Sequence, residues 1–315
     1  MITVDPALFR ADLEAKPAAL RALAGHLAGH RPWEFARGIR RVIFLGMGSS
    51  RYAAQVAARR LRRAGLDATA EYASAEGAFP PRDDTLVVAI SAGGTSQETL
   101  DAVADLPSYV ALTNNPGSPL AAGAAYIVEM HAGAERGGVA CRSFQHTQIL
   151  LDALVGRLTG GEPAPIAEVA EATEDLLTRR PEWLARCGDL LKGDGVFPIA
   201  PVERLSSALQ SALMFREGPR VPADGCETGD WSHVDVYLSK TLRYRALFFP
   251  GSRYDDQALG WLRERGSTVV AVGGDVPGAA QAIRFRHDDD SRVRLLTETL
   301  VAELVAADWW IHGTA

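Results

Sequence analysis

Between residues 6 and 27, Leu8, Leu13, Leu20, Leu23 and Leu27 recur at roughly helical spacing among charged neighbours, which predicts an amphipathic helix. The texture then changes. Short unbroken apolar runs appear at 42–45, 86–90, 109–112 and 126–128, each leading into a polar or glycine-rich turn. Such runs lack the alternation of a half-exposed strand and suit a parallel sheet covered on both faces. Helical stretches fill the gaps, notably 51–64 and 97–104. The alternation predicts a doubly wound α/β domain over residues 31–160, preceded by a helical lead-in at 1–30.

The segment Thr159-Gly160-Gly161-Glu162-Pro163-Ala164-Pro165 reads as a linker, rich in turn residues after a long helix. A stretch of linker and helix start at 161–180 then leads to a second series. Residues 196–200, 246–249, 269–272 and 283–285 again read as buried strands between helices, and 292–310 closes the chain as a helix. This predicts a second α/β unit at 181–315. Two units of similar rhythm suggest duplication, although no exact sequence repeat is visible.

Composition narrows the function. The 315 residues are 47% hydrophobic, yet no apolar run approaches the roughly 18 residues of a membrane span. The N-terminus has no apolar core like that of a signal peptide, so a soluble cytoplasmic protein is expected. With 33 Lys+Arg against 39 Asp+Glu the net charge is −6, and no basic block offers itself to nucleic acid or an anionic membrane. Cys141, Cys187 and Cys226 are odd in number and far apart, which suggests neither a disulfide framework nor a zinc knuckle. His26 and His30 stand four apart without an acidic motif beside them, and Asp288-Asp289-Asp290 reads as a capped turn; no metal site is expected.

Two loops carry candidate chemistry. The first strand runs into Leu45-Gly46-Met47-Gly48-Ser49-Ser50-Arg51 and then a helix. Glycines there let backbone approach a ligand, and the amides of the helix start favour an anion. Glu71 stands where a dinucleotide's ribose-binding acid would, but Arg51 replaces the third glycine of that fingerprint. The second loop, Ser91-Ala92-Gly93-Gly94-Thr95-Ser96, also opens a helix. Capping needs one hydroxyl, and this loop has three with two glycines, so a phosphate cradle is the stronger reading. Two such loops in one sheet point to a single phosphate held between them.

The pattern Gly-x-Gly-Ser-Ser followed by Ser-x-x-Gly-x-Ser-x-x-Thr resembles the SIS (sugar isomerase) domain family. The likeness continues through Leu112-Thr113-Asn114, Ser118-Pro119-Leu120, Ala132-Gly133-Ala134-Glu135, Phe144 and Gln148. The layout resembles the tandem-SIS isomerase half of the glucosamine-6-phosphate synthases. It implies two doubly wound parallel-sheet SIS domains in tandem, a sugar-phosphate ligand, no cofactor and a homodimer.

By this resemblance Ser50, Ser91 and Ser96 contact the phosphate, within a cradle that includes Gly48, Ser49, Gly93, Gly94 and Thr95. Gly93 stands where the family often has serine, and Arg142 where a lysine is common; the alternative for Arg142 is a solvated helix start. Glu217 and His233 keep the separation of the family's proton-transfer Glu and ring-opening His, against the alternatives of a solvated helix end and a loop histidine. The surroundings Asp230-Trp231-Ser232-His233-Val234-Asp235 depart from the family's pattern. The end at Trp309-Trp310-Ile311-His312-Gly313-Thr314-Ala315 has no lysine-bearing tail, and no glutaminase cysteine precedes the domains. The resemblance implies an aldose–ketose isomerase or an amino-sugar-phosphate deaminase or deglycase, with a non-catalytic sugar-phosphate sensor as the alternative.

Overall fold

The computed structural model describes residues 4–76 and 80–313; Thr314 and Ala315 of the C-terminal sequence lie outside them. The first elements in chain order are α1 (Pro6–Glu14), α2 (Lys16–Gly29), β1 (Arg41–Gly46), α3 (Gly48–Arg63), β2 (Asp67–Tyr72) and β3 (Thr85–Ile90). Next come α4 (Gln97–Val103), β4 (Val110–Thr113), α5 (Pro119–Ala122), β5 (Tyr126–Glu129), α6 (Arg142–Thr159), α7 (Ile166–Thr178) and α8 (Arg180–Leu191). Then follow β6 (Val196–Ala200), α9 (Leu205–Glu217), β7 (Cys226–Glu227), α10 (Thr228–Trp231), β8 (Arg245–Phe248) and α11 (Asp255–Glu264). The chain closes with β9 (Thr268–Val272), β10 (Gln281–Ile283), α12 (Ser291–Thr297) and α13 (Thr299–His312). Two compact units result, one of residues 19–135 and 140–166, the other of 1–18, 136–139 and 167–315.

The unit holding residues 19–135 is built on a parallel sheet of order β2-β1-β3-β4-β5. Its continuous apolar runs are buried on both faces: Ile43, Leu45, Val87 and Ala89 alternate with Val42, Phe44, Val88 and Ile90, all buried. From β1 the chain winds outward to β2, and from β3 it winds the other way. The carboxyl ends of β1 and β3 are therefore neighbours at a topological switch point, with Gly46 in register with Ile90. Strand β2 reads as polar in the sequence because it is an edge strand, paired only to β1. Helices α3 and α6 pack together, tied by the Arg60–Asp152 ion pair.

The other unit has a second five-stranded parallel sheet, ordered β10-β9-β8-β6-β7. Its winding matches the first sheet's, with β6 and β8 flanking the switch point. Phe197, Ile199, Trp231, Tyr244, Phe248 and Leu262 pack in its core. Helix α1 packs on α13, with Phe9 and Trp310 at 6.2 Å between ring centroids. In the same unit Lys16 pairs with Glu303, both fully buried.

Three expected elements differ in the structure. The helix over 6–27 is two helices, because Pro17 has no N–H and fits the first turn of a new helix better than the middle of an old one. The terminal helix divides at Glu298 into α12 and α13. The last strand covers Gln281–Ile283 rather than 283–285, and Phe285 is buried beyond its end. Among the described residues no helix is long and apolar enough to cross a membrane.

Candidate functional site

At the end of β1 the backbone is crowded: a Cβ on Gly46 would lie 3.0 Å from Ser50 Cβ and 3.4 Å from the Ile90 carbonyl oxygen. The chain enters α3 at once through Gly48, whose φ of +46° is in the left-handed region. Met47, at the N-cap, offers no side-chain acceptor to the first amides of this 16-residue helix. That start, with the Ser49 and Ser50 hydroxyls, is equipped to receive an anion. Arg51 adds a cation in the first turn, its guanidinium 3.7 Å from the centroid of the Tyr72 ring.

The loop after β3 is folded on itself by its own hydroxyl and glycine. Gly94 N–H donates to the Ser91 carbonyl at 3.1 Å and to Ser91 Oγ at 3.2 Å. Gly94 has φ +66°, and a Cβ there would fall 2.0 Å from Ser118 Oγ, so both conformation and space demand glycine. Gly93 differs. A Cβ there would meet only Thr95 Oγ1, at an ordinary 3.5 Å.

The hydroxyl of Ser96 is engaged. It caps α4 by accepting from Thr99 N–H at 3.4 Å, and it donates to Glu98 Oε2 at 2.7 Å. That hydrogen bond is the main reason the Glu98 carboxyl lies below its ordinary pKa. The structure thus gives Ser96 a capping role and sets a carboxylate beside it.

Residues that the strand pattern did not mark hold the loops together. Asn114 N–H and Thr113 Oγ1 both donate to the Ala92 carbonyl, at 3.0 and 3.2 Å. The Asn114 amide also clamps the loop after β5, accepting from Ala132 N–H at 2.9 Å and donating to the Gly133 carbonyl at 2.7 Å. The Glu135 carboxylate then caps α6, accepting from the amides of Cys141, Arg142 and Ser143 at 2.7, 2.6 and 3.1 Å. Arg142 is buried rather than solvated, and its guanidinium donates to the Ala134 carbonyl. It braces the 133–135 loop beside the carboxyl edge.

Glu217 and His233 belong to the other unit. Glu217 is the last residue of α9; its side chain keeps solvent access, yet the surrounding protein displaces enough water to raise its carboxyl pKa, with Arg216 opposing. His233 is exposed just after α10, whose start is capped by Glu227 through the Gly229 and Asp230 amides at 2.8 and 2.9 Å. No hydrogen bond joins Glu217 to His233. The core of the His233 segment is held by Trp231 Nε1, which donates to Tyr244 Oη at 2.8 Å. Nearby, burial and four surrounding carboxylates push the Cys226 thiol up to about 12, which keeps it protonated and unreactive. In the acidic run, Asp288 accepts from Arg284 Nε at 2.6 Å and Asp290 caps α12 through Arg292 N–H at 2.7 Å, so two of its three carboxylates serve a turn.

Residues 37–157, which contain both loops of the first sheet, match the SIS domain family. The glutamine–fructose-6-phosphate aminotransferase (isomerizing) of Aeropyrum pernix is 32% identical over 241 residues, covering 70% of this chain and 37% of that protein. The chain therefore spans little more than a third of that relative's length. Among solved structures, the C-terminal domain of glucosamine-fructose-6-phosphate aminotransferase from Francisella tularensis superposes with a TM-score of 0.81 at 15% identity, covering 97% of this chain and 96% of that one. Tagatose-6-phosphate ketose/aldose isomerase from Escherichia coli gives a TM-score of 0.79 at 17% identity, covering 97% and 92%. At such identities the likeness is one of fold.

Proposed function

We propose that this chain, whose residues 37–157 match the SIS domain, carries two SIS units and catalyses aldose–ketose isomerisation of a sugar phosphate, or the related deamination or deglycation of an amino-sugar phosphate. One observation carries the reading. The uncapped start of α3 and the hydroxyl loop Ser91–Ser96 leave the sheet side by side at the switch point between β1 and β3. Hydroxyls, backbone amides and a helix start suit a phosphate dianion without requiring lysine.

In this scheme Ser50, Ser91 and Ser96 hold the phosphate, Ser96 by turning its hydroxyl proton from Glu98 to the ligand, with backbone from Gly48, Ser49, Gly93, Gly94 and Thr95 lining it and Arg142 bracing the adjoining loop. Glu217 takes a proton from one of C1 and C2 and returns it to the other through an enediol. A carboxyl with a raised pKa is a stronger base once ionised, which fits that step. His233 exchanges the proton that opens the sugar ring. The chemistry calls for no metal or organic cofactor. The working form is a cytoplasmic homodimer in which His233 completes the neighbour's site.

The test is proton NMR of the protein in D2O with hexose 6-phosphates and amino-sugar 6-phosphates. Deuterium entering C1 or C2, or a new sugar, establishes the enediol reaction; binding without exchange establishes a non-catalytic sensor. The sensor reading draws on one observation: His233 is exposed and no hydrogen bond orients its ring. Absence of both exchange and binding refutes the phosphate cradle for these sugars.

A further inference from the structure

Two histidines spaced four apart, His26 in the last turn of α2 and His30 just past its end, are joined in space by a third. The His26 and His30 rings stack with centroids 4.3 Å apart and planes within 2°, and His30 Nδ1 is 3.0 Å from the His26 carbonyl oxygen. The His131 ring lies against the His26 ring at 4.0 Å, tilted by 46°. Its Nδ1 is 3.4 Å from Glu129 Oε1. His131 holds φ +51°, a conformation that non-glycine residues rarely adopt and that tertiary contacts must maintain. The cluster belongs wholly to the unit of residues 19–135 and 140–166.

A metal does not explain it. Parallel rings set their in-plane lone pairs side by side, so those of His26 and His30 do not converge on one ion. Among the described residues no group of three or more His, Cys, Asp or Glu side chains is arranged to hold a metal. Protons do explain it. Neutral imidazoles stack favourably, whereas imidazolium cations about 4 Å apart repel. The groups facing His26 are His30, just past the end of α2, and His131 and Glu129 from the β5 side. One carboxylate balances one proton on the trio, and each further proton adds uncompensated charge.

We infer that His26, His30 and His131 form a proton-operated latch between the end of α2 and the loop after β5, closed while the imidazoles are neutral and released as they take up protons. The loop it holds is well connected. Met130 N–H donates to the Thr113 carbonyl at 2.8 Å, and Asn114 clamps Ala132 and Gly133 while its own N–H binds Ala92 in the hydroxyl loop. Release at His131 therefore loosens residues 130–135 first and the 91–96 and 112–115 loops through Asn114. The direction agrees with the burial and neighbouring imidazoles that lower the His26 pKa below 6.5. A base whose pKa is lowered by folding stabilises the closed form above about pH 6.5, and that contribution is lost as the pH falls below it.

Amide hydrogen exchange on the full chain tests this at pH 7.5 and 5.5, with rates corrected for intrinsic pH dependence. Protection of residues 130–135 should be lost on acidification in the wild type. The variant His131→Asn keeps a residue tolerant of positive φ, and in it protection should be independent of pH. His26→Gln should behave likewise. Histidine NMR titration of the wild type should place the His26 midpoint below 6.5, moving upward in His131→Asn. Protection that does not change with pH in the wild type, or that falls equally in both variants, overturns the latch. So does a His26 midpoint unmoved by His131→Asn.

Discussion

Adjacent glycines in the hydroxyl loop should respond oppositely to the same methyl group. In Gly94→Ala, holding alanine at φ +66° costs about 1–2 kcal/mol. The new Cβ falls 2.0 Å from Ser118 Oγ and 2.4 Å from Ser118 Cβ. Ser118 cannot easily yield, because it is buried and its Oγ accepts from Ala121 N–H at the start of α5. Overpacking of this kind costs about 1–3 kcal/mol, for a total near 2–5 kcal/mol. At about 2–4 °C per kcal/mol, Tm should fall by roughly 10 °C. Gly93→Ala meets only Thr95 Oγ1 at 3.5 Å, and reduced unfolded-state entropy should leave it neutral or stabilised by up to about 1 kcal/mol. Gly93→Ser would also supply a further hydroxyl to a bound phosphate. A hydrogen bond to a charged group contributes about 1.5–3 kcal/mol, or roughly 10–150-fold in Kd. Thermal unfolding of the variants and calorimetric titration with fructose 6-phosphate measure both effects. A Gly94→Ala protein with wild-type Tm would refute the steric reasoning, and Gly93→Ser with unchanged or weaker affinity would refute the cradle's proposed geometry.

Three further outcomes are expected. Glu98→Gln removes the carboxylate that holds the Ser96 hydroxyl proton, so phosphate should bind more tightly, by a margin that shrinks with added salt in titration calorimetry. Glu217→Gln should abolish deuterium exchange into sugar while increasing resistance to urea at pH 7. The sign follows from the raised pKa: the folded state favours the protonated carboxyl, so its stabilising contribution exists at low pH and is lost as pH rises, and the gain from glutamine should vanish near pH 4. Lys16→Met strips Glu303 of its buried cation and should destabilise by about 3–5 kcal/mol, whereas Lys16→Met with Glu303→Leu should recover most of the loss in urea unfolding.

Much of the fold was legible because buried parallel strands must be apolar on both faces. The runs ending at Leu45, Ile90 and Leu112 announced themselves, and the glycine and hydroxyl loops behind the first two marked the carboxyl edge. The edge strand β2, Asp67–Tyr72, did not, since a strand paired on one side has no need of an unbroken apolar run. The two residues of β7 are too few for any pattern. The break at Ala15 was signalled by Pro17 but overridden by the leucine periodicity, whereas the one at Glu298 was hidden because the helical periodicity continues across it.

For the candidate site, residue types along the chain predict an anion cradle from glycines and hydroxyls at two helix starts. Only the tertiary structure decided what each group is free to do. It committed the Ser96 proton to Glu98, made Gly94 indispensable through Ser118 while leaving Gly93 open, and buried Arg142 against its own loop. It also brought His131 onto His26 across 105 positions of sequence. Local patterns encode helix starts and strand faces because those depend on neighbours in the chain. Hydrogen-bond partners and ring contacts depend on neighbours in space, and these exist only once the sheet has closed its crossovers.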